Sequence, residues 1–461
     1  MLPLFDHQVE IIKQAQGKKF FALFCDMGTG KTRCAIELIK YPIKYHYPQF
    51  KTKTLVIAPN TILENWLCEV ERWSNLKAVI LQGSRTKRIK LLKEPADIYI
   101  INYEALRILE PELAAMNFDM IISDELQKLK GHRSLQSKAA FRLAQKIPYK
   151  LGMTGTPITN SPIDLFAEFR FLNPYIFGFS FFRFRNRYCV MGGYFNKEIK
   201  GYINLDEMQE KIRSCSIRVN KNDCLNLPDK IYQVHQVDMG PEQARVYHDL
   251  RKEFIAEIQG KIVTAPYVLT RLIRLSQCTA GFCKTEEHEE INFETNPKLQ
   301  LLKEIIEDLP KDEKVVIFCR FLKEIKNLEL LCSKQGWPWV TICGETKNRQ
   351  EQILAFNDPA GAKIFIGQIQ TAGLGINLQS ARYCIFLSNS YSHGERMQAE
   401  DRLHRIGQKN NVTYIDILAR NSIDQTILNC LKEKKDLATE IIEIIKIQNA
   451  VVNQKIDSQM R

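Results

Sequence analysis

Short apolar runs alternate with helical stretches twice along this chain, and this alternation restricts the possible folds more than any other feature. The runs are rich in Ile, Val, Phe and Tyr, and they are continuous, as in strands buried on both faces of a parallel sheet. We therefore predict an α/β fold with two parallel sheets, each covered by helices. The runs are 20–24, 54–58, 97–102, 119–123 and 150–154 in the first half, and 314–319, 340–343, 363–367, 383–387 and 412–418 in the second.

The spacing of these runs predicts two α/β domains, at residues 1–170 and 295–440. Between them, 171–294 is rich in aromatic and basic residues and then helical in pattern, which indicates an insertion and linker. Asn296-Pro297 is typical of the start of a new unit. The last stretch, 441–461, is predicted to be a C-terminal helix and tail.

Composition restricts the class of partner and the compartment. The 461 residues include 65 Lys and Arg against 53 Asp and Glu, a formal net charge of +12 that favours a polyanion. There is no apolar run of about 18 residues and no basic segment followed by an apolar core, so neither a membrane span nor a secretory signal is expected. The 13 cysteines are scattered, as in proteins of a reducing compartment.

A glycine turn follows the first apolar run. Residues 26–32 read DMGTGKT, and the helical pattern CAIELIK comes directly after them. Glycines at such a turn let backbone amides and a helix N-terminus wrap a phosphate. Lys31 would reach the β- and γ-phosphates of a nucleotide, and the Thr32 hydroxyl would hold Mg²⁺. The strict pattern has Gly where this chain has Cys25, and Gly28 supplies the needed flexibility.

An acidic pair ends the run at 119–123. Asp124 and Glu125 stand where ligands of open α/β sheets gather, at the carboxyl ends of the strands. We expect Asp124 to bind Mg²⁺ and Glu125 to orient and deprotonate the attacking water.

Two arginines in the second half are candidates for the remaining catalytic charge. Arg402 and Arg405 are three residues apart in QAEDRLHRIGQ (398–408), a spacing that predicts one face of a helix. Their planar guanidinium groups suit the charge that develops on a transferring phosphoryl group.

These segments together resemble the Swi/Snf-type ATPases of helicase superfamily two. The resemblance covers roughly residues 1–440, with its motifs in the expected order. Its most specific parts are APNTILENWLCEVERW (58–73) and the trailing Gly-Gln of QAEDRLHRIGQ. The matching segments are DMGTGKT for motif I, APNTILENWLCEVERW for Ia, INYEAL (101–106) for Ib, SDELQKLK (123–130) for II, MTGTPITN (153–160) for III, VVIFCRF (315–321) for IV, QTAGLGINLQSA (370–381) for V and QAEDRLHRIGQ for VI.

The resemblance implies two RecA-like lobes with an ATP cleft between them. It implies that Gln8 reads adenine, which its amide suits, and that Gly28, Thr29, Gly30, Lys31, Thr32, Gly375 and Gln398 contact the nucleotide. It implies DNA phosphate contacts from Asn102, Tyr103, Arg320 and Thr371. Motif II has Gln127 where the family usually has His, so the link between the ATP site and motif III is altered.

Residues 176–221 combine basic and aromatic side chains, and two interpretations stay open. Arg183, Arg185 and Arg187 alternate with phenylalanines, as phosphate attraction plus base stacking would require. An aromatic core beneath a basic surface would produce the same pattern.

The resemblance implies a DNA-dependent ATPase that moves along double-stranded DNA, using ATP and Mg²⁺. The alternatives are a strand-separating DNA or RNA helicase, and a nucleic-acid-binding assembly subunit with weak ATPase. We expect a minimal bacterial or viral member in the cytoplasm, in contact with duplex DNA and with other proteins of a DNA-processing complex, and no membrane. The sequence does not indicate an oligomeric state.

Overall fold

The computed structural model describes residues 3–40, 52–155, 161–193, 198–224, 227–258, 265–284, 289–372 and 376–433. The chain forms two compact units, Met1–Asn226 and Leu227–Arg461. The stretch 171–294, which the sequence assigns to a single insertion, contributes elements to both units.

The first unit is built on a seven-stranded sheet whose strand pairings are all parallel. The strand order is β3-β4-β2-β5-β6-β1-β9, and β7 pairs with β8 in a separate antiparallel hairpin. The strands are β1 (Phe20–Cys25), β2 (Thr54–Ala58), β3 (Ala78–Ile80), β4 (Ile98–Asn102), β5 (Met120–Asp124), β6 (Tyr149–Thr154), β7 (Cys189–Gly192), β8 (Glu198–Tyr202) and β9 (Ser216–Val219).

Several helices of the first unit show either an apolar stripe, as in α3, or a serine cap at the N-terminus, as in α4, α7 and α9. In α3, Leu63, Trp66 and Val70 recur at helical spacing and are buried. Ser134 caps α7 by accepting a hydrogen bond from the Ser137 amide at 3.1 Å. The helices are α1 (Asp6–Ala15), α2 (Lys31–Lys40), α3 (Leu63–Trp73), α4 (Arg85–Leu92), α5 (Tyr103–Leu106), α6 (Glu110–Ala114), α7 (Leu135–Lys146), α8 (Leu165–Leu172), α9 (Phe181–Tyr188), α10 (Leu205–Arg213) and α11 (Lys221–Cys224), with short 3₁₀ helices at Asn60–Ile62, Leu126–Leu129 and Pro162–Asp164.

The second unit contains a six-stranded sheet, also parallel throughout, in the order β10-β17-β16-β13-β15-β14, and a small β11–β12 hairpin. Its strands are β10 (Lys230–Val237), β11 (Phe282–Lys284), β12 (Glu290–Asn292), β13 (Val315–Cys319), β14 (Trp339–Ile342), β15 (Ile364–Gln368), β16 (Tyr383–Phe386) and β17 (Val412–Ala419). Its helices are α12 (Pro241–Ile258), α13 (Ala265–Thr279), α14 (Pro297–Asp308), α15 (Leu322–Gln335), α16 (Arg349–Asn357), α17 (Ile369–Ala372), α18 (His393–Glu400) and α19 (Ile423–Glu433).

The structure confirms all ten predicted strands, and it adds three strands to the two large sheets. The added strands are β3, β9 and β10. They lie at sheet edges, and β10 alternates polar and apolar side chains that are largely exposed. An edge strand is covered on fewer sides, so it does not need the continuous apolar run by which buried strands are detected.

Within the described ranges, no helix combines the length and the apolar character that a bilayer crossing requires.

A buried carboxyl group lies in α8, on the first unit's sheet. Glu168 is 0% exposed, and both of its carboxyl oxygens lack a hydrogen-bond partner. Burial raises the pKa of Glu168 well above its ordinary value; Asp164 adds to this, and Lys130 opposes it. The folded chain therefore holds this proton to a higher pH than the unfolded chain does.

We predict that Glu168→Gln becomes increasingly more stable than the wild type as the pH rises. Above a pH of about 4.3, the unfolded chain releases a proton that the folded chain retains, which lowers the wild-type free energy of unfolding by up to about 1.4 kcal/mol per pH unit until the folded pKa is reached. Thermal melts from pH 5 to 8 measure the difference. As a control, Glu71→Gln changes an exposed residue, and its stability relative to the wild type should not vary with pH. If the stability gain of Glu168→Gln over the wild type stays constant or shrinks as the pH rises, the raised pKa of Glu168 is contradicted.

Candidate active site

The glycine turn joins β1 to α2, as predicted. Gly28 and Gly30 have φ of +81° and +84°, a left-handed conformation that favours glycine. Lys31 opens α2, and its Nζ donates to the Cys25 carbonyl at 2.6 Å and to the Asp26 carbonyl at 3.2 Å. The Thr29 hydroxyl donates to the same Asp26 carbonyl at 2.8 Å. The lysine charge is thus held at the mouth of the turn, and half-buried Thr32 follows it in the first helical turn.

Cys25 occupies the position where the strict phosphate-loop pattern has glycine, and the structure explains the exchange. It is the last residue of β1 and pairs in parallel register with Val219 of β9, so its backbone is extended and needs no glycine. Burial raises the pKa of the Cys25 thiol to about 11, although Lys31 opposes this shift. The thiol is therefore neutral and unreactive at physiological pH.

Gln8 lies against the glycine turn, where the resemblance places it. Its Oε1 accepts from the Phe5 amide at 3.1 Å and its Nε2 donates to the Thr29 carbonyl at 3.2 Å. A Cβ at Gly30 would clash with this Nε2. His7, which the sequence analysis did not identify, lies with Nε2 at 2.9 Å from the same Thr29 carbonyl. Helix α1 is therefore bonded directly to the phosphate turn through two side chains.

The acidic pair is buried at the end of β5 and is held by side chains from distant segments. Asp124 and Glu125 are each 6% exposed. Asp124 Oδ2 accepts from the Trp66 indole Nε1 at 2.8 Å, which joins motif Ia to motif II. Glu125 adopts the left-handed conformation (φ +57°, ψ +56°), and its Oε2 accepts from Gln127 Nε2 at 2.6 Å. Such a backbone in a non-glycine residue costs about 1–3 kcal/mol and is typical of functional positions.

Tyr103 supports this strand end, which corrects its predicted contact with DNA. It is 2% exposed. Its hydroxyl donates to the Asp124 carbonyl at 2.6 Å and lies 2.8 Å from Ser123 Oγ. The neighbouring Asn102 is also buried, with Oδ1 accepting from Arg88 Nη1 at 2.9 Å and Nδ2 donating to Glu104 at 2.7 Å. Because both side chains are buried and bonded internally, neither presents a polar group to a ligand in this conformation.

Electrostatics connects the glycine turn to the acidic pair. Burial, and next the Glu125 charge, raise the pKa of Asp124 to about 6, whereas the Trp66 hydrogen bond and the Lys31 charge lower it. Strands β1 and β5 both pair in parallel with β6, so the glycine turn and the acidic pair lie at the same edge of the sheet. The structure thus brings the predicted phosphate ligand and the predicted acidic residues of the first unit into one site.

We predict that Trp66→Phe moves the acidic limb of the ATPase pH profile upward by about one pH unit. The substitution removes a hydrogen bond to the ionised carboxylate, so the pKa of Asp124 rises further. Since only the ionised form can serve as a cation ligand, activity falls at a higher pH than in the wild type. Steady-state hydrolysis from pH 5.5 to 8.5 measures the midpoint.

Trp73→Phe is the matched control, because Trp73 lies on the same helix but donates to Glu69 at 2.7 Å. Its acidic midpoint should equal that of the wild type. Equal midpoints for Trp66→Phe and the wild type would show that the indole does not tune Asp124.

In the second unit, Arg402 and Arg405 lie in consecutive turns, which corrects the prediction of a shared helical face. Helix α18 ends at Glu400. The Arg402 carbonyl accepts from the Leu378 amide at 3.0 Å, and the Leu403 carbonyl from Gln408 Nε2 at 3.4 Å. In a continuing helix, these two carbonyl groups would accept hydrogen bonds from backbone amides four residues further along the chain. Here the Leu378 amide and the Gln408 side chain donate to them instead. Arg402 Nε donates to the Gln398 carbonyl at 3.0 Å, and Arg405 Nη1 lies 3.5 Å from the Ile376 carbonyl.

A buried ion network anchors α18, the helix that leads into this turn. Arg396 is 5% exposed and packs over the Phe386 ring at 3.5 Å. Its guanidinium group pairs with both oxygens of Asp416 at 2.5 and 3.0 Å and with Glu400 at 2.9 Å. Burial alone would raise the pKa of Glu400, but Arg396 and its other partners hold it below the usual value. The start of motif VI is thereby fixed to β16 and β17.

Two predicted DNA contacts of the second unit, Arg320 and Thr371, lie at neighbouring strand ends. Gln368 joins them, since its Oε1 accepts from the Thr371 hydroxyl at 3.3 Å and its Nε2 donates to the Arg320 carbonyl at 3.4 Å. The Arg320 guanidinium packs over the Tyr391 ring at 3.6 Å. Gly375 lies outside the described residues.

The basic and aromatic stretch 176–221 contains a buried aromatic core, as the second interpretation requires, whereas phosphate attraction plus base stacking stays a prediction. Phe184 and Tyr188 are buried in the core, as an aromatic core would require. Arg187 pairs with Glu207 at 2.5 Å, and this pairing is the largest of the effects that lower the Glu207 pKa to about 2. Arg183 is exposed, and the Arg185 guanidinium lies 5.4 Å from the Phe182 ring. Two of the three predicted arginines therefore remain as candidates for ligand contact.

Comparison with known proteins agrees with these motifs. Residues 12–285 match the SNF2-related domain, and residues 297–407 match the helicase conserved C-terminal domain. The chain is 26% identical over 466 residues to an uncharacterized ATP-dependent helicase of Mycoplasma pneumoniae, covering 98% of this chain and 43% of that protein. It is 28% identical over 470 residues to the transcription regulatory protein SNF2 of Saccharomyces cerevisiae, covering 95% of this chain and 27% of that protein.

Among solved structures, the SWI2/SNF2 ATPase core of Sulfolobus solfataricus in complex with dsDNA is similar, with 26% identity and a TM-score of 0.45, covering 96% of this chain and 93% of that one. The chain spans less than half the length of the two curated relatives. The domain match covers more than half of this chain and includes the glycine turn, Trp66 and the acidic pair. The chain belongs to the family of proteins with the SNF2-related domain.

Proposed function

We propose that the protein is an ATP-dependent translocase that moves along double-stranded DNA and remodels DNA or protein–DNA complexes. One observation carries the proposal: Lys31 at the glycine turn and the Trp66-bonded Asp124 at the end of β5 share one site. This arrangement is that of a nucleotide hydrolase, and membership in the SNF2-related family supports duplex DNA as the track.

In the proposed reaction, the glycine turn and Lys31 bind the phosphates of ATP, and Glu125 accepts a proton from the attacking water. The Gln127 hydrogen bond orients the Glu125 carboxylate for that task. Arg402 and Arg405 would stabilise the charge that develops on the transferred phosphoryl group. In the proposed translocase, each round of hydrolysis would be coupled to movement along DNA.

The residues at the site fit a magnesium ion. Asp124 supplies a carboxylate and Thr32 a hydroxyl, oxygen ligands of the kind that Mg²⁺ prefers. A raised pKa of about 6 for Asp124 marks a buried carboxylate that a divalent cation would stabilise. When bound, the ion would neutralise phosphate charge and polarise the phosphoryl group.

The test compares ATP hydrolysis without polymer, with duplex DNA, with single-stranded DNA and with RNA. We expect the largest stimulation by duplex DNA, together with displacement of a third strand from a DNA triplex. Lys31→Ala should bind DNA but neither hydrolyse ATP nor displace the third strand. Absence of stimulation by any polymer would instead favour an assembly subunit with weak ATPase.

Strand separation is the second candidate, and one element favours it. The antiparallel β7–β8 hairpin carries the exposed side chains Val190 and Ile199, which are 43% and 36% exposed. An exposed hairpin is the kind of wedge that could divide a duplex. Unwinding of a forked duplex under conditions without triplex displacement would replace the translocase proposal with this one.

A further inference from the structure

Helix α9 divides its aromatic residues between two faces. Phe184 and Tyr188 are 1% and 2% exposed and pack in the core of the first unit. Phe182, on the same helix, is 62% exposed. In the turn before the helix, Tyr175 and Phe179 are 80% and 54% exposed, and their ring centroids are 5.3 Å apart in an edge-to-face pair. Three large aromatic rings within eight residues are thus presented to solvent.

Basic groups accompany these rings. The Arg185 guanidinium lies 5.4 Å from the centroid of the Phe182 ring. Arg183 is exposed, and its side chain forms no ion pair within the part of the chain that the structure describes. The nearby Glu207 does not oppose this charge, since it is already paired with Arg187 and with Lys211 at 2.5 and 3.0 Å.

We propose that Tyr175, Phe179 and Phe182, with Arg183 and Arg185, form a binding surface for unpaired bases of single-stranded DNA. Aromatic rings bind bases by stacking on their faces, and arginines attract the connecting phosphates. In a duplex the base faces are covered by neighbouring base pairs, so this surface discriminates for unpaired strands. It is separate from the glycine turn and requires no nucleotide.

The surface is also connected to the acidic pair. Phe181, between the exposed Phe182 and the Ser180 cap, stacks on His132 with ring centroids 3.7 Å apart and an interplanar angle of 17°. His132 follows Glu125 by seven residues, just after the 3₁₀ helix Leu126–Leu129. A DNA strand bound to α9 would therefore lie beside the Phe181–His132 stack. This stack joins α9 to the segment that follows Glu125.

The test measures the fluorescence anisotropy of labelled oligothymidine and of a duplex of equal length, without nucleotide. The variant Phe179→Ala/Phe182→Ala should lose about 5- to 150-fold in affinity for oligothymidine for each stacked base that it no longer binds, and its duplex affinity should stay within about twofold. Phe179→Trp/Phe182→Trp should bind oligothymidine as tightly as the wild type, because tryptophan, unlike alanine, keeps a ring on which a base can stack. Ile108→Ala/Leu135→Ala removes side chains that are 47% and 57% exposed elsewhere in the first unit, and should change neither affinity.

Three results would overturn the proposal: no oligothymidine binding by the wild type, unchanged oligothymidine affinity in the alanine variant, or an equal loss for both probes. Matching thermal melts would confirm that the variants are folded. As a second measurement, ultraviolet crosslinking of oligothymidine should mark peptides containing Phe179 or Phe182, and crosslinks only elsewhere would also count against it. Lys31→Ala should bind oligothymidine like the wild type. The binding test is therefore independent of the ATPase test, and it can succeed even if the proposed ATPase activity is not found.

Discussion

Replacing Glu125 by Gln is expected to lower ATP turnover by about 10²–10⁴-fold while ATP binding persists. Gln127 Nε2, 2.6 Å from Glu125 Oε2, can still donate to the amide oxygen that replaces it. Size and shape are also preserved, so the left-handed backbone should survive, together with the hydrogen bond that the Glu125 carbonyl accepts from the Tyr103 hydroxyl at 3.3 Å. The lost property is the ability to accept a proton from water. Steady-state hydrolysis and fluorescent-nucleotide binding measure the two quantities separately.

Glu71→Gln makes the same chemical change at an exposed position and should leave both quantities unchanged. Turnover of Glu125→Gln within tenfold of the wild type would remove Glu125 from the role of base. A parallel loss of nucleotide binding would indicate instead that Glu125 shapes the phosphate turn.

Arg405→Lys is expected to lower turnover by about 10³–10⁵-fold, the range for an arginine that stabilises phosphoryl transfer. Lysine keeps the positive charge but lacks the planar fork that can engage two oxygens at once. Arg402→Lys should show a comparable loss and, in addition, weaker support of its turn, because Arg402 Nε donates to the Gln398 carbonyl. Nucleotide affinity should change much less than turnover in both variants.

The control is Arg420→Lys, since Arg420 is an exposed residue of the same unit that pairs with Asp238 at 2.9 Å. It should hydrolyse ATP at the wild-type rate. Normal turnover in both Arg405→Lys and Arg402→Lys would remove these two arginines from the proposed reaction.

Ten of the strands in the two large sheets could be predicted because buried parallel strands require continuous apolar runs. The glycine turn and the acidic pair could be predicted for a related reason, since phosphate binding restricts residue types over a few consecutive positions. Strand β3 was not predicted because it has only three residues, and β9 and β10 were not predicted because edge strands tolerate polar residues. The helical face proposed for Arg402 and Arg405 was wrong, because spacing alone does not reveal that Leu378 and Gln408 intercept the helical carbonyls.

By itself, the sequence determined the α/β architecture and the chemical types at the phosphate turn, because both depend on neighbours along the chain. Only the tertiary structure decided that Trp66 bonds to Asp124, that Tyr103 supports the acidic strand end, and that Phe184 is core while Phe182 is surface. These outcomes depend on which strands and helices become neighbours in space. That choice is made by packing between residues that are 21 and 58 positions apart in the sequence for the two hydrogen bonds. Local residue patterns carry no information over such separations.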